Sequence, residues 1–119
     1  ETVIFADETG LDVETYIQIF NAMGFLMQVE VDWIARVIRN ARHPVMTIKP
    51  MAAGQLRPFQ ALTFSWNAIR ECDMVTVGTM APEEAEELVD LSLAVLERRP
   101  YDGNLQATRS KATLAAATR

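Results

Sequence analysis

Cysteine and histidine are nearly missing from this chain: Cys72 and His43 each stand alone among 119 residues. A single cysteine excludes an internal disulfide and a thiolate cluster. A single histidine excludes a multi-histidine zinc site or a Cys–His dyad built from one chain. Cys72 lies between Glu71 and Asp73, an electronegative setting that disfavours a thiolate, and it reads as a bystander. His43 precedes Pro44 at the end of a helical pattern, beside Arg39 and Arg42. It reads as a partner for the last helical carbonyls, with a general-base role as the alternative. No apolar run has membrane length and no cleavable signal pattern is present, so a cytoplasmic location without a membrane partner is expected.

Excess positive charge is missing too. Residues 1–99 carry 15 acids and 8 bases, while residues 100–119 carry one acid and three bases. An acidic body cannot neutralise a phosphate backbone, which argues against nucleic acid as a partner. Arg109, Ser110 and Lys111 in the tail offer an anion contact, but a short basic group near a terminus reads first as solvated.

What is present is a rhythm. Three short apolar runs, Tyr16–Phe20, Val45–Ile48 and Met74–Val77, each end in turn residues and lead into a helical pattern. The helices are expected over roughly 29–42, 58–70 and 82–98. Strand–helix repetition predicts an α/β fold with a parallel sheet, whose chemistry sits at the strands' carboxyl ends. Glu1–Gly10 reads as the end of an element that begins upstream, with Asp7–Gly10 forming a turn. Glu30 and Asp32 begin the first helix and Arg36, Arg39 and Arg42 lie towards its end, a distribution that compensates the macrodipole. Phe59, Leu62, Trp66 and Ile69 form the expected inner stripe of the second helix. Ala85, Leu88, Val89, Ser92, Val95 and Leu96 form that of the third. Glu83, Glu84, Glu86 and Glu87 at its start favour the dipole and are expected to face water, rather than to gather a metal. A partial barrel domain over 1–99 and an irregular tail over 100–119 are the expected organisation.

The segment Gly78-Thr-Met-Ala-Pro-Glu-Glu-Ala-Glu-Glu87 resembles the last βα unit of aldo/keto reductases. Ile48-Lys-Pro-Met-Ala-Ala-Gly-Gln-Leu56 is similar to that family's seventh strand and its Pro-Leu-x-x-Gly loop. Ala61-Leu-Thr-Phe64 resembles its seventh helix, and Ile17-Gln-Ile-Phe-Asn21 its sixth strand. The resemblance spans residues 11–99 and implies a partial TIM-type barrel of three consecutive βα units. It implies an NADP or NAD cofactor bound by Gln18, Asn21, Lys49, Gly78, Thr79 and Met80, and a small-molecule substrate. Gln18 matches the glutamine that bonds the nicotinamide carboxamide, and the Gly78–Met80 loop matches the one nearest the cofactor phosphate and ribose.

Two positions depart from the pattern. Ile48 stands where many reductases have a stacking tyrosine. Glu84 stands near the place where the family has a basic residue for the 2′-phosphate of NADP, which a carboxylate would repel. The family's catalytic Asp, Tyr, Lys and His belong to earlier strands, so no catalytic residue is assigned in this chain. The alternatives are a non-redox barrel enzyme or anion binder using Lys49 and the Gly78–Met80 loop, and a structural module that assembles with a partner. Three parallel strands leave two open edges, so a homo-oligomer or association with an amino-terminal portion is expected.

Overall fold

The computed structural model describes residues 1–103, over which four helices and three strands alternate. They run α1 (Thr2–Thr9), β1 (Tyr16–Ile19), α2 (Val31–Asn40), β2 (Val45–Ile48), α3 (Pro58–Ala68), β3 (Met74–Val75) and α4 (Pro82–Glu97). The strands form one parallel sheet in the order β1-β2-β3. Tyr16 pairs with Val45 and Gln18 with Thr47, and Thr47 in turn with Val75.

Side chains alternate across a strand, so this register fixes what each face carries. One face holds Tyr16, Val45, Thr47 and Val75. On it, Tyr16, Phe20 and Val45 pack with Val3 and Ala6 of α1 and Ile34 and Ile38 of α2. Farther along, Val75 and Val77 pack with Leu62 of α3 and Leu88 and Leu91 of α4. All four helices therefore cover the same face. Phe20, Ile38, Leu62 and Leu91 are essentially sealed from solvent. Each contributes about 2 kcal/mol of transfer free energy.

The opposite face carries Ile17, Ile19, Met46, Ile48, Met74 and Thr76, and none of these is buried. Ile17 is 65% exposed. This face has no helix on it among the described residues, although parallel sheets ordinarily bury both sides.

The helices begin and end for local reasons, and several differ from the sequence expectation. Thr2–Thr9 is a helix through Asp7–Thr9, where a turn was expected. It stops at Gly10, whose φ of 66° lets the Leu11 N–H reach back to the Ala6 carbonyl at 3.0 Å. Pro58 and Pro82 open α3 and α4 where a missing N–H costs nothing. The end of α4 comes at Arg98, in the left-handed region, before Pro100 can act. The last strand is shorter than expected, yet the Thr76 N–H still donates to the Thr47 carbonyl at 2.8 Å.

Two expected stripes are rotated. In α3 the buried residues are Pro58, Ala61, Leu62 and Ser65, while Phe59 is exposed. In α4 the buried residues are Glu84, Leu88, Leu91 and Ala94, while Val89 and Leu96 are more than half exposed. Leu91 and Ala94, unmarked by the pattern, take the inner positions.

Candidate functional site

Three loops meet at the carboxyl edge of the sheet. The Phe20 N–H donates to the Ile48 carbonyl at 3.1 Å, and the Thr76 N–H to the Thr47 carbonyl. These bonds carry the ladder to the edge and set Asn21, Lys49 and the start of the Gly78–Met80 loop side by side.

In the first loop, the wholly buried Asn21 organises its own backbone. Its Oδ1 accepts from the Phe25 N–H at 2.8 Å and the Met23 N–H at 3.2 Å, while Nδ2 donates to the Phe25 carbonyl at 2.9 Å. Its place is inside the loop, whose exposed members include Met23, Leu26, Gln28 and Val29.

In the second loop Lys49, Ala52, Ala53 and Gly54 all have positive φ, from 50° to 80°. Three of the four carry a Cβ, which the left-handed region penalises by roughly 1 kcal/mol per residue. Bonds from the Ala52 N–H to the Lys49 carbonyl and from the Gly54 and Leu56 N–H groups to the Met51 carbonyl hold this geometry. Among described residues, positive φ outside the first two loops occurs only at the helix ends Gly10 and Arg98. Backbone strain is thus concentrated at the carboxyl edge. Lys49 is exposed there and forms no ion pair among the described residues.

The third loop is Gly78–Met80. Gly78 has open space where a Cβ would stand. The Met80 N–H donates to Glu84 Oε2 at 3.0 Å, and Glu84 is 2% exposed. Glu84 was expected to face water; it instead folds back over the start of α4. This places a carboxylate beside the start of α4.

Gln18 stands apart from these loops. Alternation puts it on the helix-covered side, in register with buried Thr47, and its Nε2 donates to the Ile19 carbonyl at 3.0 Å. Of the six residues expected to bind, the structure brings Asn21, Lys49, Gly78, Thr79 and Met80 to one edge. Among these, Lys49, Gly78, Thr79 and Met80 are exposed.

The other end of the sheet carries a polar knot with no counterpart in the sequence expectation. Asp73, with its side chain shut from solvent, accepts from the Val45 N–H at 2.8 Å and the Arg70 N–H at 2.8 Å. The Arg70 guanidinium bonds both Asp73 oxygens and donates to the Ala41 and His43 carbonyls. Burial pushes the Asp73 carboxyl up, but the Arg70 guanidinium and the two backbone donors outweigh it and hold it below the usual range. Nearby, the Tyr16 hydroxyl donates to Asp7 Oδ1 at 2.7 Å. That bond lowers the Asp7 carboxyl and raises the Tyr16 phenol. His43 packs edge-on against Tyr16 and offers its carbonyl to Arg70. Every strong group in this knot is engaged within the protein, so it fastens loops rather than presenting chemistry. Only an Arg-x-x-Asp spacing before a strand hinted at it.

No family model, curated protein or solved structure matches the chain. The described residues also contain no group of three His, Cys, Asp or Glu that could hold a metal, and none of their helices is long and apolar enough to cross a membrane. Arg109, Ser110 and Lys111 lie outside the described residues.

Proposed function

We propose that this chain is the carboxyl-terminal, cofactor-side portion of an aldo/keto reductase-like (β/α)8 barrel. It would supply three consecutive strands and a ligand edge, but not the proton donor. The observation that carries this reading is the sheet itself: three parallel strands in sequence order, the helices of the described residues all on one face, and a face behind them that no described residue covers. A doubly wound sheet reverses its strand order and places helices on both faces. A barrel wall never reverses, and its second face points inward.

The groove beside β3 supports the same reading. Val75, Val77, Ala85, Val89 and Leu96 line it, with a volume of about 460 Å³. Trp66 also lines it and holds a buried indole N–H without a partner among the described residues. A neighbouring βα unit, or a second copy of the chain, would cover these residues and the unpaired edge of β3.

Lys49 and the Gly78–Met80 loop are the residues available to a nicotinamide cofactor. Gln18 joins them only by releasing the Ile19 carbonyl. With the Glu84 carboxylate at the start of α4, NAD suits the edge better than NADP, whose extra phosphate would be repelled. The bound cofactor would accept or deliver hydride. This chain's part is to position it, and the proton donor must come from other strands.

The test is calorimetric titration of NADH and NADPH into the protein carrying this chain, as wild type and as Gly78→Val. A side chain at position 78 meets open space and no positive φ, so the fold should persist while close approach of a ligand is blocked. NADH binding that Gly78→Val abolishes is the expected result. If neither cofactor binds the wild type, the reading fails.

A further inference from the structure

A groove of about 390 Å³ runs between α1 and α2. Ile4 of α1 and Val37 of α2 lie in it, together with Trp33, which is 46% exposed. The inner side of α2 is taken by Ile34, Ala35 and Ile38, which are buried in the core. Trp33, Arg36 and Asn40 are exposed, so the groove opens on the solvent side of the helix layer. Closing a barrel would cover the open sheet face and the groove beside β3, and would leave this one uncovered.

The two walls carry opposite charge. The α2 wall contributes Arg36 and, just past the helix end, Arg42; the α1 wall contributes Asp7 and Glu8. Both Asp7 oxygens are engaged, one by the Tyr16 hydroxyl and one by the Arg42 N–H. Glu8, Arg36 and Arg42 are exposed and form no ion pair among the described residues. Two bases and two acids make the groove neutral in a chain of net charge −5. Copies of an acidic chain repel one another, so a face of balanced sign is where their contact costs least. The Arg36 guanidinium also stands 5.5 Å from the centroid of the Trp33 ring. Stacking holds ring and cation in place before a partner arrives, which lowers the cost of ordering them. Tryptophan and arginine are the residue types that dominate the energetics of protein contacts.

We propose that a second copy of this chain seats on the α1–α2 groove, face to face across a two-fold axis that runs along it. A two-fold interface uses the same patch on both copies, so the patch must complement itself. Rotation about an axis along the groove lays α1 of one copy over α2 of the other. Glu8 of each copy then meets the cationic wall of the other, and Trp33 covers the apolar floor opposite. An axis across the groove would lay α1 on α1 and acid on acid, and the same charges disfavour it. The pairing goes beyond the barrel reading and does not depend on it.

Sedimentation equilibrium of the chain over a dilution series tests it, as wild type, Arg36→Glu, Glu8→Arg and the double exchange. Both positions are exposed, so the fold should persist, which circular dichroism checks. The wild type is expected to contain an even number of copies, and either single variant should halve its mass. Each exchange strikes two symmetry-related contacts; at about tenfold per contact, the dissociation constant rises about a hundredfold. The double exchange restores opposite charges across the axis and should recover the wild-type mass. A single-copy wild type, a mass that neither single variant changes, or a double exchange that stays dissociated overturns the proposal. A mass that falls with Val89→Glu but not with Arg36→Glu would keep the barrel reading and end this one.

Discussion

Replacing Asp73 with alanine should be among the most damaging single changes in the fold. The side chain is inaccessible and receives four N–H donors: Val45 and Arg70 from the backbone, and Nε and Nη2 of Arg70. Removing it leaves the Val45 N–H buried without a partner, which costs about 1–3 kcal/mol. It also strands a guanidinium whose side chain is only 26% exposed. Discounting that half-screened partner, a total near 3 kcal/mol follows, towards the lower end for a broken buried pair. Urea unfolding followed by tryptophan fluorescence reads it as a lower midpoint with unchanged slope. Asp73→Asn keeps an oxygen for Val45 and should cost about half as much. The same variant tests the electrostatics. The Asp73 carboxyl lies below its ordinary value when folded. Its stabilisation is therefore complete above the unfolded pKa, about 4, and is lost as pH falls through the lower folded pKa. Asp73→Asn should flatten that acid limb and leave the part due to Asp7. A cost under about 1 kcal/mol for the alanine variant, against the penalty expected of a buried pair, would refute this account of the knot.

Asn21→Ala should cost about 2–3 kcal/mol in the same unfolding assay, because it removes the acceptor and donor that shape the loop after β1; a neutral result would show that the loop is held elsewhere. Ala53→Gly should stabilise by about 0.5–1 kcal/mol, since Ala53 is exposed at φ 57° and carries a Cβ there for no packing gain. A lower melting temperature for that variant would contradict the strain assigned to the loop. Tyr16→Phe should move the Asp7 carboxyl up towards its ordinary 3.8, because the phenol hydrogen bond is the main influence lowering it. Carboxyl-carbon NMR titration measures this directly, and an unmoved Asp7 would count against the bond.

The alternation of elements was legible because its signals are local. Val45–Ile48 is a strand because four apolar or β-branched residues lie between Pro44 and Pro50, and Pro58 and Pro82 mark helix starts by chemistry. Helix α1 was hidden because Asp7-Glu8-Thr9-Gly10 reads equally as a turn. Only the backbone return from Leu11 to Ala6 shows Gly10 to be a cap. The edge itself could be located from strand ends, but the state of its residues could not. Nothing in the sequence says that Asn21 turns inward or that Glu84 folds back onto Met80, since both depend on loop geometry. The Arg70–Asp73 knot was illegible for a related reason. Its partners Ala41, His43 and Val45 are nearly thirty residues away in sequence and meet it through carbonyls and an amide that no side-chain pattern encodes.

The rotated stripe of α4 carries the most information about assembly. Ala85, Val89, Ser92 and Leu96 recur at intervals of four, three and four, the spacing of a buried face. In the described structure this face lines the groove beside β3, while Leu88 and Leu91 pack with Leu62 of α3 and Val75 and Val77 beside the sheet. Helix α4 is therefore apolar on two adjacent faces, and only one is covered. A helix ending a free-standing layer would need the first face alone. Ile17 and Met74 tell the same story on the sheet, where side chains of core type stand in the open. An apolar surface on two sides of one layer is what a barrel wall requires: helices to left and right, and a filled interior behind. Covering the α4 groove and the sheet face by the same partner would distinguish a closing barrel from casual self-association. Val89→Glu and Ile17→Glu should then abolish assembly to the same degree, whereas a dimer through either surface alone would respond to one variant and ignore the other.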